Sequence, residues 1–434
     1  MSLLDQPQAQ ALLADAVVRP AAVRGCQEHL AEFLRRYLPL FNRREQRDLA
    51  TLVVRGRLSG LTRKTSEPIA HQAGRPRKPV QHFVGAGAWD DEAVMAELRR
   101  HVAEELGDPD GVLVADGSGF PKKGTASCGV SRQWCGRLGK LDNCQVGVFL
   151  AYAAKGGHAP LDRRLYLPAD WAADRQRRRK AGVPADVAFR EKWRVALDLI
   201  DRSGPGVPHG WVAGDDEFGR AAQFRAELRR RHERYVLDVP ANTLVREVAP
   251  RPDRRRPAFE RADAWAARQP ASRWKAITVR DGSKGPLTVR ALKRRVQAKD
   301  EDGCAGPTET LTVIRRPGAE PQTWYTLSNA RRSARRATLV RVHGERHRVE
   351  EVLQEGKGEV GLADYEVRGW VGWHHHMTLS LLALWFVTVE RRRLGGKNPG
   401  PDTAAGAAGL QRAATRPAAD AGEGRRAGQP RAAA

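Results

Sequence analysis

The sequence predicts an α/β protein in which a mixed sheet is flanked by helices, with a helical amino-terminal domain and an antiparallel β insertion. Three observations lead to this fold class. Residues 86–240 contain three strand-like apolar runs in succession and then strands that alternate with helices, an order typical of a mixed sheet. Residues 241–332 contain short β-branched runs separated by Gly and Pro, as in antiparallel strands. Apolar residues at helical spacing precede and follow these two regions.

The individual elements follow from the period of the apolar residues, which is near 3.6 in helices and 2 in strands. For the core, the predicted elements in chain order are helix 90–106, strand 112–116, strand 145–152, strand 163–168, helix 189–200, strand 210–215, helix 220–231 and strand 234–239. For the insertion and the return to the core, they are strands 274–280, 287–292, 311–315 and 323–327, and helices 334–361 and 371–393.

These elements divide the chain into five segments. Residues 1–85 form a predicted helical DNA-binding domain, and 86–240 the first part of the core. Residues 241–332 form the β-rich insertion, and 333–394 contribute the last helices of the core. The remaining residues, 395–434, are rich in Ala, Gly, Arg and Pro. That composition is typical of a disordered segment, because it offers too little apolar surface to bury.

Net charge is the strongest compositional signal. The 434 residues include 75 Lys and Arg against 51 Asp and Glu, a formal net charge of +24. Such an excess indicates a polyanionic partner, with nucleic acid the leading candidate. A coding bias toward Arg would raise the Arg count but would not explain why acids fail to balance it. One short basic tract, residues 73–79, is either a DNA-contacting turn or a solvated linker.

Cysteine and targeting patterns point to a reducing compartment. The five cysteines form no Cys-x-x-Cys pair, so neither a disulfide framework nor a zinc site is expected. The amino-terminal residues lack the basic start and long apolar core of a signal peptide, and the apolar stretch 377–389 is too short for a membrane span. We therefore expect a cytoplasmic protein. Three consecutive histidines, 374–376, would point in different directions on a helix and should not converge on one ion.

Two aspartates close apolar runs of the predicted sheet. Asp116 follows residues 112–115 and precedes Gly-Ser-Gly at 117–119, which we interpret as a turn; Asp215 follows residues 211–214. Ligands meet α/β folds where strands end at the sheet edge. Carboxylate oxygens are ligands of divalent cations. The sequence therefore predicts two members of a metal site, and another element must supply the third carboxylate.

A helix supplies that third carboxylate. At about 100° per residue, Arg346, Glu350 and Lys357 fall within roughly 40° of one another on one helical face. Glu351 points about 100° away from Glu350 and is expected to be solvated. The face thus combines one metal-binding carboxylate with two cations that could hold phosphates.

Four segments carry a resemblance to a known family: Val114–Gly124, Cys135–Val148, Val212–Gly219 and Val349–Arg368. With these motifs the chain resembles a bacterial insertion-sequence transposase of the DDE type, over about residues 30 to 393. Members of this family carry a helical signature, Tyr-x2-Arg-x3-Glu-x6-Lys. Arg346, Glu350 and Lys357 match it, whereas His343 stands at the tyrosine position.

The resemblance implies an RNase H-like catalytic domain that cuts DNA at terminal inverted repeats and joins the 3′-hydroxyl ends to target DNA. It implies two Mg²⁺ or Mn²⁺ ions held by Asp116, Asp215 and Glu350, with Asp116 bridging both ions. Arg346 and Lys357 would position phosphates, and His343 would lie with them at the DNA. Because two ends must be joined, the resemblance also favours a homodimer.

Several assignments stay open at this point. Asp216 is an alternative to the adjacent Asp215. Trp274 and Trp324 of the insertion are candidates for stacking on an unpaired base, although a core position is the simpler interpretation of each. Two other functions also fit the sequence: an RNase H-like nuclease that cuts without strand transfer, and a non-catalytic DNA-binding repressor derived from a decayed transposase.

Overall fold

The structure, a computed structural model, describes residues 25–248, 257–282, 285–318 and 321–394. The predicted tail at 395–434 and the first 24 residues of the predicted helical domain lie outside these described residues.

In the described part of the chain, five α-helices precede the first strand: α1 Cys26–Arg35, α2 Arg44–Arg57, α3 Ser66–Gln72, α4 Arg77–Ala86 and α5 Asp91–Leu106. The start of α5 is fixed by Asp90, whose carboxylate accepts the backbone N–H groups of Glu92 and Ala93 as an N-cap. The buried apolar faces of these five helices belong to the same hydrophobic core as the sheet that follows.

The core contains six strands: β1 Val112–Pro121, β2 Ser131–Cys135, β3 Lys140–Ala154, β4 Gly157–Leu165, β5 Trp211–Gly214 and β6 Tyr235–Val239. Its helices are α6 Ala169–Ala173, α7 Arg175–Lys180, α8 Lys192–Ser203, α9 Asp216–Gly219 and α10 Ala222–Arg230. The pairing runs β4–β3–β1–β5–β6: the first three strands are antiparallel, and β1, β5 and β6 are parallel. Parallel neighbours need crossover connections, which contain the helices α8, α9 and α10.

The insertion continues this sheet. Its elements are β7 Leu244–Glu247, β8 Glu260–Arg261, α11 Ala262–Ala267, β9 Lys275–Gly282, β10 Gly285–Lys299, β11 Ala305–Arg316 and β12 Gln322–Ser328. Strand β12 pairs antiparallel with β6, so the insertion and the core form one mixed sheet. The expected α/β protein with a mixed sheet and flanking helices is confirmed.

Three helices complete the described fold: α12 Arg336–Glu345, α13 His347–Glu359 and α14 Trp370–Arg393. Helix α14 is buried nearly all round between β4 and the amino-terminal helices, as expected of a helix without a polar face. None of the helices in the described part of the chain combines the length and apolar character needed to span a bilayer.

The three consecutive histidines of α14 have separate partners. His374 contacts the carbonyl oxygen of Trp370, His375 that of Trp89, and His376 that of Leu362. Each ring is buried. The expectation that they do not converge on one ion is consistent with these contacts.

One local expectation was wrong. Residues 117–119 do not form a turn, and Asp116 does not end its strand: β1 continues to Pro121, pairing with β3 from Val112↔Ala153 to Pro121↔Cys144. The long strand β3 supplies hydrogen-bond partners that the local sequence does not reveal. Gly119 fits because a Cβ there would come 3.0 Å from the sulfur of Cys135.

Candidate active site

Asp116, within β1, and Asp215, directly after β5, lie at the same level of two neighbouring strands. The parallel pairing of β1 with β5 ends at Ala115↔Gly214, so the next residue on each strand is one of these aspartates. Adjacent strands lie about 4.8 Å apart. The sheet therefore presents both carboxylates side by side where β1 and β5 separate.

The Asp116 carboxyl lies in an unusual electrostatic environment. Burial raises its pKa to about 8, and the negative charges of Asp215 and Glu350 act in the same direction, against the backbone N–H of Gly117 and the charge of Arg346. The three predicted carboxylates are therefore close enough to repel one another. The fold concentrates negative charge here, as expected of a site that works with bound cations.

Asp215 also organises the backbone that follows it. Its Oδ1 accepts the N–H groups of Glu217 at 3.0 Å and Phe218 at 3.4 Å, which caps the short helix α9. Burial, followed by the charges of Glu217 and Asp216, raises the pKa of Asp215 to about 6. Asp216 instead pairs with Arg220 at 2.7 Å in an exposed position. This geometry favours Asp215 over Asp216 as the partner of Asp116.

Glu350 comes from the first turn of α13. Its carboxylate is 2.8 Å from Nη1 of Arg346 and 2.9 Å from Nδ1 of His347. The hydrogen bond from His347 is the main reason that the pKa of Glu350 is lowered, and the charge of Arg346 adds to it although burial opposes both. Glu350 is thus held ionised beside the two aspartates.

The expectation that Glu351 is solvated was wrong. The Glu351 side chain is 20% exposed, whereas that of Glu350 is 42% exposed. Its carboxylate is bound by Arg348 at 2.7 Å and lies 3.8 Å from His158 of β4. Helical angle alone did not predict this, because α13 is covered by other elements on more than one side.

Arg346 lies at the junction of α12 and α13, where a single helix was expected. Its Nε is 3.2 Å from Asp238, and its Nη1 reaches Glu350. Although burial opposes it, the charges of Asp238, Glu350, Asp116 and Asp215 raise the pKa of Arg346. One guanidinium therefore contacts Asp238 and Glu350 and lies close enough to Asp116 and Asp215 for their charges to act on it.

Asp238 is a site residue that the sequence reasoning missed. It lies on β6, where its carboxylate contacts Arg346 and also Nδ1 of His343 at 2.9 Å. His343, predicted to lie at the DNA, is directed toward this aspartate and packs 5.4 Å from the ring of Trp324. A signal was available: Asp238 is the one charged residue in the otherwise apolar strand Tyr235–Val239.

Lys357 meets the site from the other end of α13. Its Nζ donates to Oγ of Ser118 at 2.8 Å, and Ser118 lies two residues after Asp116 on the same face of β1. Burial, then the charge of Arg137, lowers the pKa of Lys357, while the Asp116 charge opposes the shift. The structure therefore brings Arg346, Glu350 and Lys357 close enough to Asp116 for their charges to interact.

The carboxyl end of α13 is anchored to the amino-terminal helices. The buried Nζ of Lys64 donates to the carbonyl oxygens of Arg57, Ser59 and Glu359. This one ammonium group satisfies carbonyl groups at the ends of both α2 and α13, which otherwise lack helical partners. The position of Glu350 thus depends on a contact between Lys64 and Glu359, which lie 295 residues apart in the sequence.

The donor set suits a hard divalent cation. Mg²⁺ takes oxygen ligands and binds through one or two carboxylates plus substrate phosphates. In the described residues, the one hydrogen bond found to the Asp116 carboxylate comes from the adjacent N–H of Gly117. The same residues contain no compact group of three His, Cys, Asp or Glu side chains able to hold an ion. The three carboxylates would have to move closer to share one.

A cavity of about 490 Å³ lies between the insertion and the α12–α13 junction, beside Glu350. Its apolar side includes Val289, Ile314 and Trp324, and its basic side chains are Arg316, Arg341, Arg346 and Arg348. Trp274 lies elsewhere: it is 7% exposed in the insertion core, with Arg315 stacked 4.1 Å from its ring. A core position therefore accounts for Trp274, whereas Trp324 borders the site.

Close packing also explains Gly219 at the end of α9. A Cβ there would come 1.9 Å from the backbone oxygen of Asp238. We expect Gly219→Ala to destabilise the protein by about 1–3 kcal/mol through overpacking, measured by chemical denaturation. Gly358 of α13 has nothing within 4 Å of the same position. Gly358→Ala should stabilise by about 0.5–1 kcal/mol, and similar behaviour of the two variants would contradict this explanation.

Comparisons with known proteins show which family this chain is similar to. A family model described as DDE superfamily endonuclease matches residues 36–286. A probable transposase for insertion sequence element IS701 from Microchaete diplosiphon is 29% identical over 199 residues, 45% of this chain. The match spans about half (49%) of that relative. A cryo-EM structure of the piggyBac transposase synaptic complex with hairpin DNA aligns with 92% of this chain and 80% of its own, with a TM-score of 0.40 and 10% identity.

Proposed function

We propose, because the chain belongs to the DDE superfamily endonuclease family, that it is the DNA transposase of an insertion sequence. Asp116 and Asp215 lie within the matched residues 36–286, and Glu350 lies beyond them. The observation that carries the proposal is the parallel pairing of β1 with β5, which places Asp116 and Asp215 side by side. Glu350, which contacts Arg346, lies close enough for its charge to act on Asp116. The three acids come from different elements, and Asp116 and Glu350 are more than 200 residues apart in sequence.

We further infer an RNase H-like core. The order β4–β3–β1–β5–β6, with an antiparallel meander followed by two parallel strands, supports it. Residues 86–240 and 333–394 would form this core, 241–332 the insertion and 1–85 a DNA-binding domain. In this arrangement β1 and β5 would direct Asp116 and Asp215 to one point, and α13, after the insertion, would supply Glu350.

The carboxylates of Asp116, Asp215 and Glu350 would hold two Mg²⁺ or Mn²⁺ ions. Bound ions would supply charge stabilisation at the attacking and leaving oxygens of the phosphodiester. Asp116 would be the shared ligand, since the charges of both other acids reach it. Arg346 would keep Glu350 oriented and present positive charge to a phosphate. Lys357, whose ammonium group donates a hydrogen bond to Ser118, would present positive charge to a phosphate on the other side of Asp116.

The amino-terminal helices offer a second DNA contact. Helix α3 is followed by a turn in which Gly74 has φ +63°, and then by α4. Two helices joined by a short glycine-containing turn form the helix-turn-helix motif, whose second helix enters the major groove. The basic tract 73–79 is this turn and the start of α4, and all of it is exposed. We propose that α4 contacts the inverted repeats with its exposed face: Arg77, Lys78, Gln81 and His82.

The proposed assembly contains two copies of the chain and two DNA ends. Strand transfer of an element requires both ends to reach one target, and one active site per end meets that need with a homodimer. The excess of 75 basic over 51 acidic residues supports binding to several duplex segments at once.

The proposal is tested with the full chain and labelled DNA that carries the imperfect inverted repeats flanking the gene. We expect cleavage at the repeat ends with Mg²⁺ or Mn²⁺, joined products when a target plasmid is added, and no cleavage in EDTA. Cleavage without joined products would favour the nuclease alternative. Binding without nicking in any metal would favour the repressor alternative.

A further inference from the structure

The hairpin formed by β2 and β3, residues 131–143, carries an exposed apolar cluster. Trp134 is 57% exposed, Leu138 42% and Leu141 59%. Trp134 pairs directly with Leu141 across the two strands, so both side chains project from the same face. Tryptophan is on average a strongly buried residue. A tryptophan and two leucines that share one exposed hairpin therefore mark an interaction surface.

This surface lies on the face of the sheet that carries the active site. Strand β3 pairs Phe149 with Asp116 and Leu141 with Trp134. Positions 141 and 149 have the same parity, so their side chains point to the same face. Eight residues of strand separate them, roughly 26 Å. That distance corresponds to about seven or eight base pairs of duplex. DNA whose cut site lies at Asp116 could therefore extend along β3 to the hairpin.

The charges around the cluster fit a polyanion. Arg132, Arg137 and Lys140 flank it, against the single acid Asp142, which pairs with Lys140. Arg132 is two residues from Trp134 and shares its face. Arg137, at the turn, lies close enough to Lys357 for its charge to act on that group.

Hydrogen bonds hold the base of the hairpin in place, whereas the apolar side chains nearer its tip are exposed to solvent. The side-chain amide of Asn143 donates to the carbonyl oxygens of Lys122 and Gly124 at 2.6 and 2.9 Å. These bonds join the hairpin to the basic loop that follows β1. An exposed aromatic on a rigid base can stack without first losing much conformational freedom.

We propose that this hairpin contacts DNA and stacks Trp134 on a base that is unpaired about seven or eight base pairs from the cleavage site, with Leu138 and Leu141 as an apolar wedge. The inference rests on the proposed function and adds a contact to it. An aromatic platform within a basic surface is the combination that binds unpaired nucleotides. Apolar wedges likewise open base steps in duplex DNA. A second copy of the chain fits less well, because three apolar side chains fall far short of a stable interface and the approaching surface carries the same charge.

The test compares Trp134→Ala and Trp134→Phe on two DNAs in EDTA, where no cutting occurs. One probe is a fully paired repeat end, and the other is the same duplex with three unpaired nucleotides about seven or eight base pairs from the cleavage site. We expect Trp134→Ala to weaken binding to the second probe by about 5- to 150-fold and to the first by less than about twofold. Trp134→Phe, which keeps a ring, should retain most of the affinity.

Two further variants separate stacking from charge and from unspecific truncation. Arg132→Ala should lower affinity for both probes and reduce the slope of log affinity against log salt by about one. Val371→Ala, a truncation at an exposed apolar residue of α14, should change neither the affinity for the two probes nor the salt slope. Thermal unfolding of each variant checks that the fold is intact.

Unchanged binding of Trp134→Ala to the unpaired probe would overturn the proposal, as would an equal loss on both probes. A shift from dimer to monomer in sedimentation, with DNA affinity retained, would assign the hairpin to a second copy instead. If the unaltered protein binds neither probe, both the hairpin inference and the proposed function fail. If that protein cuts and joins repeat ends while Trp134→Ala binds normally, the hairpin inference alone fails.

Discussion

Replacing Asp116 with Asn is expected to abolish DNA cleavage while leaving binding to the terminal inverted repeats intact. The substitution keeps the size of the side chain and removes the negative charge of Asp116, which interacts with the charges of both Asp215 and Glu350. Losing a shared metal ligand forfeits several kcal/mol of charge stabilisation in the transition state. The expected fall in cleavage rate is therefore about 10³-fold or more, measured with labelled repeat ends in Mg²⁺.

The chain offers matched controls for this prediction. Asp215→Asn and Glu350→Gln should be as inactive as Asp116→Asn. Asp216→Asn removes an exposed pair with Arg220 and a charge that acts on Asp215, but no proposed metal ligand, so its cleavage rate should stay within about twofold. Robust Mg²⁺-dependent cleavage by Asp116→Asn would refute the assignment. If Asp216→Asn were inactive and Asp215→Asn active, the second catalytic carboxylate would be assigned to Asp216 instead of Asp215.

Asp238→Asn is expected to lower the cleavage rate by about 10- to 100-fold, the usual cost of losing a residue that orients a metal ligand. Asp238 holds Arg346 and His343, and Arg346 in turn holds Glu350. The amide cannot balance the arginine charge, so the guanidinium is free to pair more tightly with Glu350 and to draw it from the metal site. The rate is measured at several Mg²⁺ concentrations, and we expect the dependence to shift to higher metal.

Two comparisons distinguish positioning from loss of stability. Glu309→Gln removes another buried acid, one that binds Arg225, Arg229 and Tyr235 away from the active site. It should lower the unfolding temperature without changing the metal dependence of cleavage. If Asp238 acts through Arg346, combining Asp238→Asn with Arg346→Gln should cost less than the sum of the two single effects. Strict additivity would show that Asp238 acts independently.

The position of Asp238 also explains how the insertion could affect catalysis. Strand β6 pairs with Asp215's strand β5 on one side and with β12 of the insertion on the other. A displacement of the insertion sheet by bound DNA would therefore be transmitted to Asp238, and through Arg346 to Glu350. The cavity beside Trp324 lies at this same junction.

The sequence by itself determined the features that depend on short stretches of chain. The apolar runs before Asp116 and Asp215 identified two strands, and the spacing of Arg346, Glu350 and Lys357 placed three charged groups toward one site. The net charge of +24 indicated a polyanionic partner. Periodicity within one element and total charge require no knowledge of distant contacts, because they arise from backbone geometry and composition.

Only the tertiary structure decided which side chains meet. Pairing with the long strand β3 keeps Asp116 within β1 rather than at its end. Contacts across the fold join Asp238 to Arg346 and Lys357 to Ser118. They leave Glu351 partly buried beside His158 and Trp134 exposed to solvent. The physical reason is that burial and partner choice are set by residues 100 to 240 positions away in sequence. No local pattern records those distances.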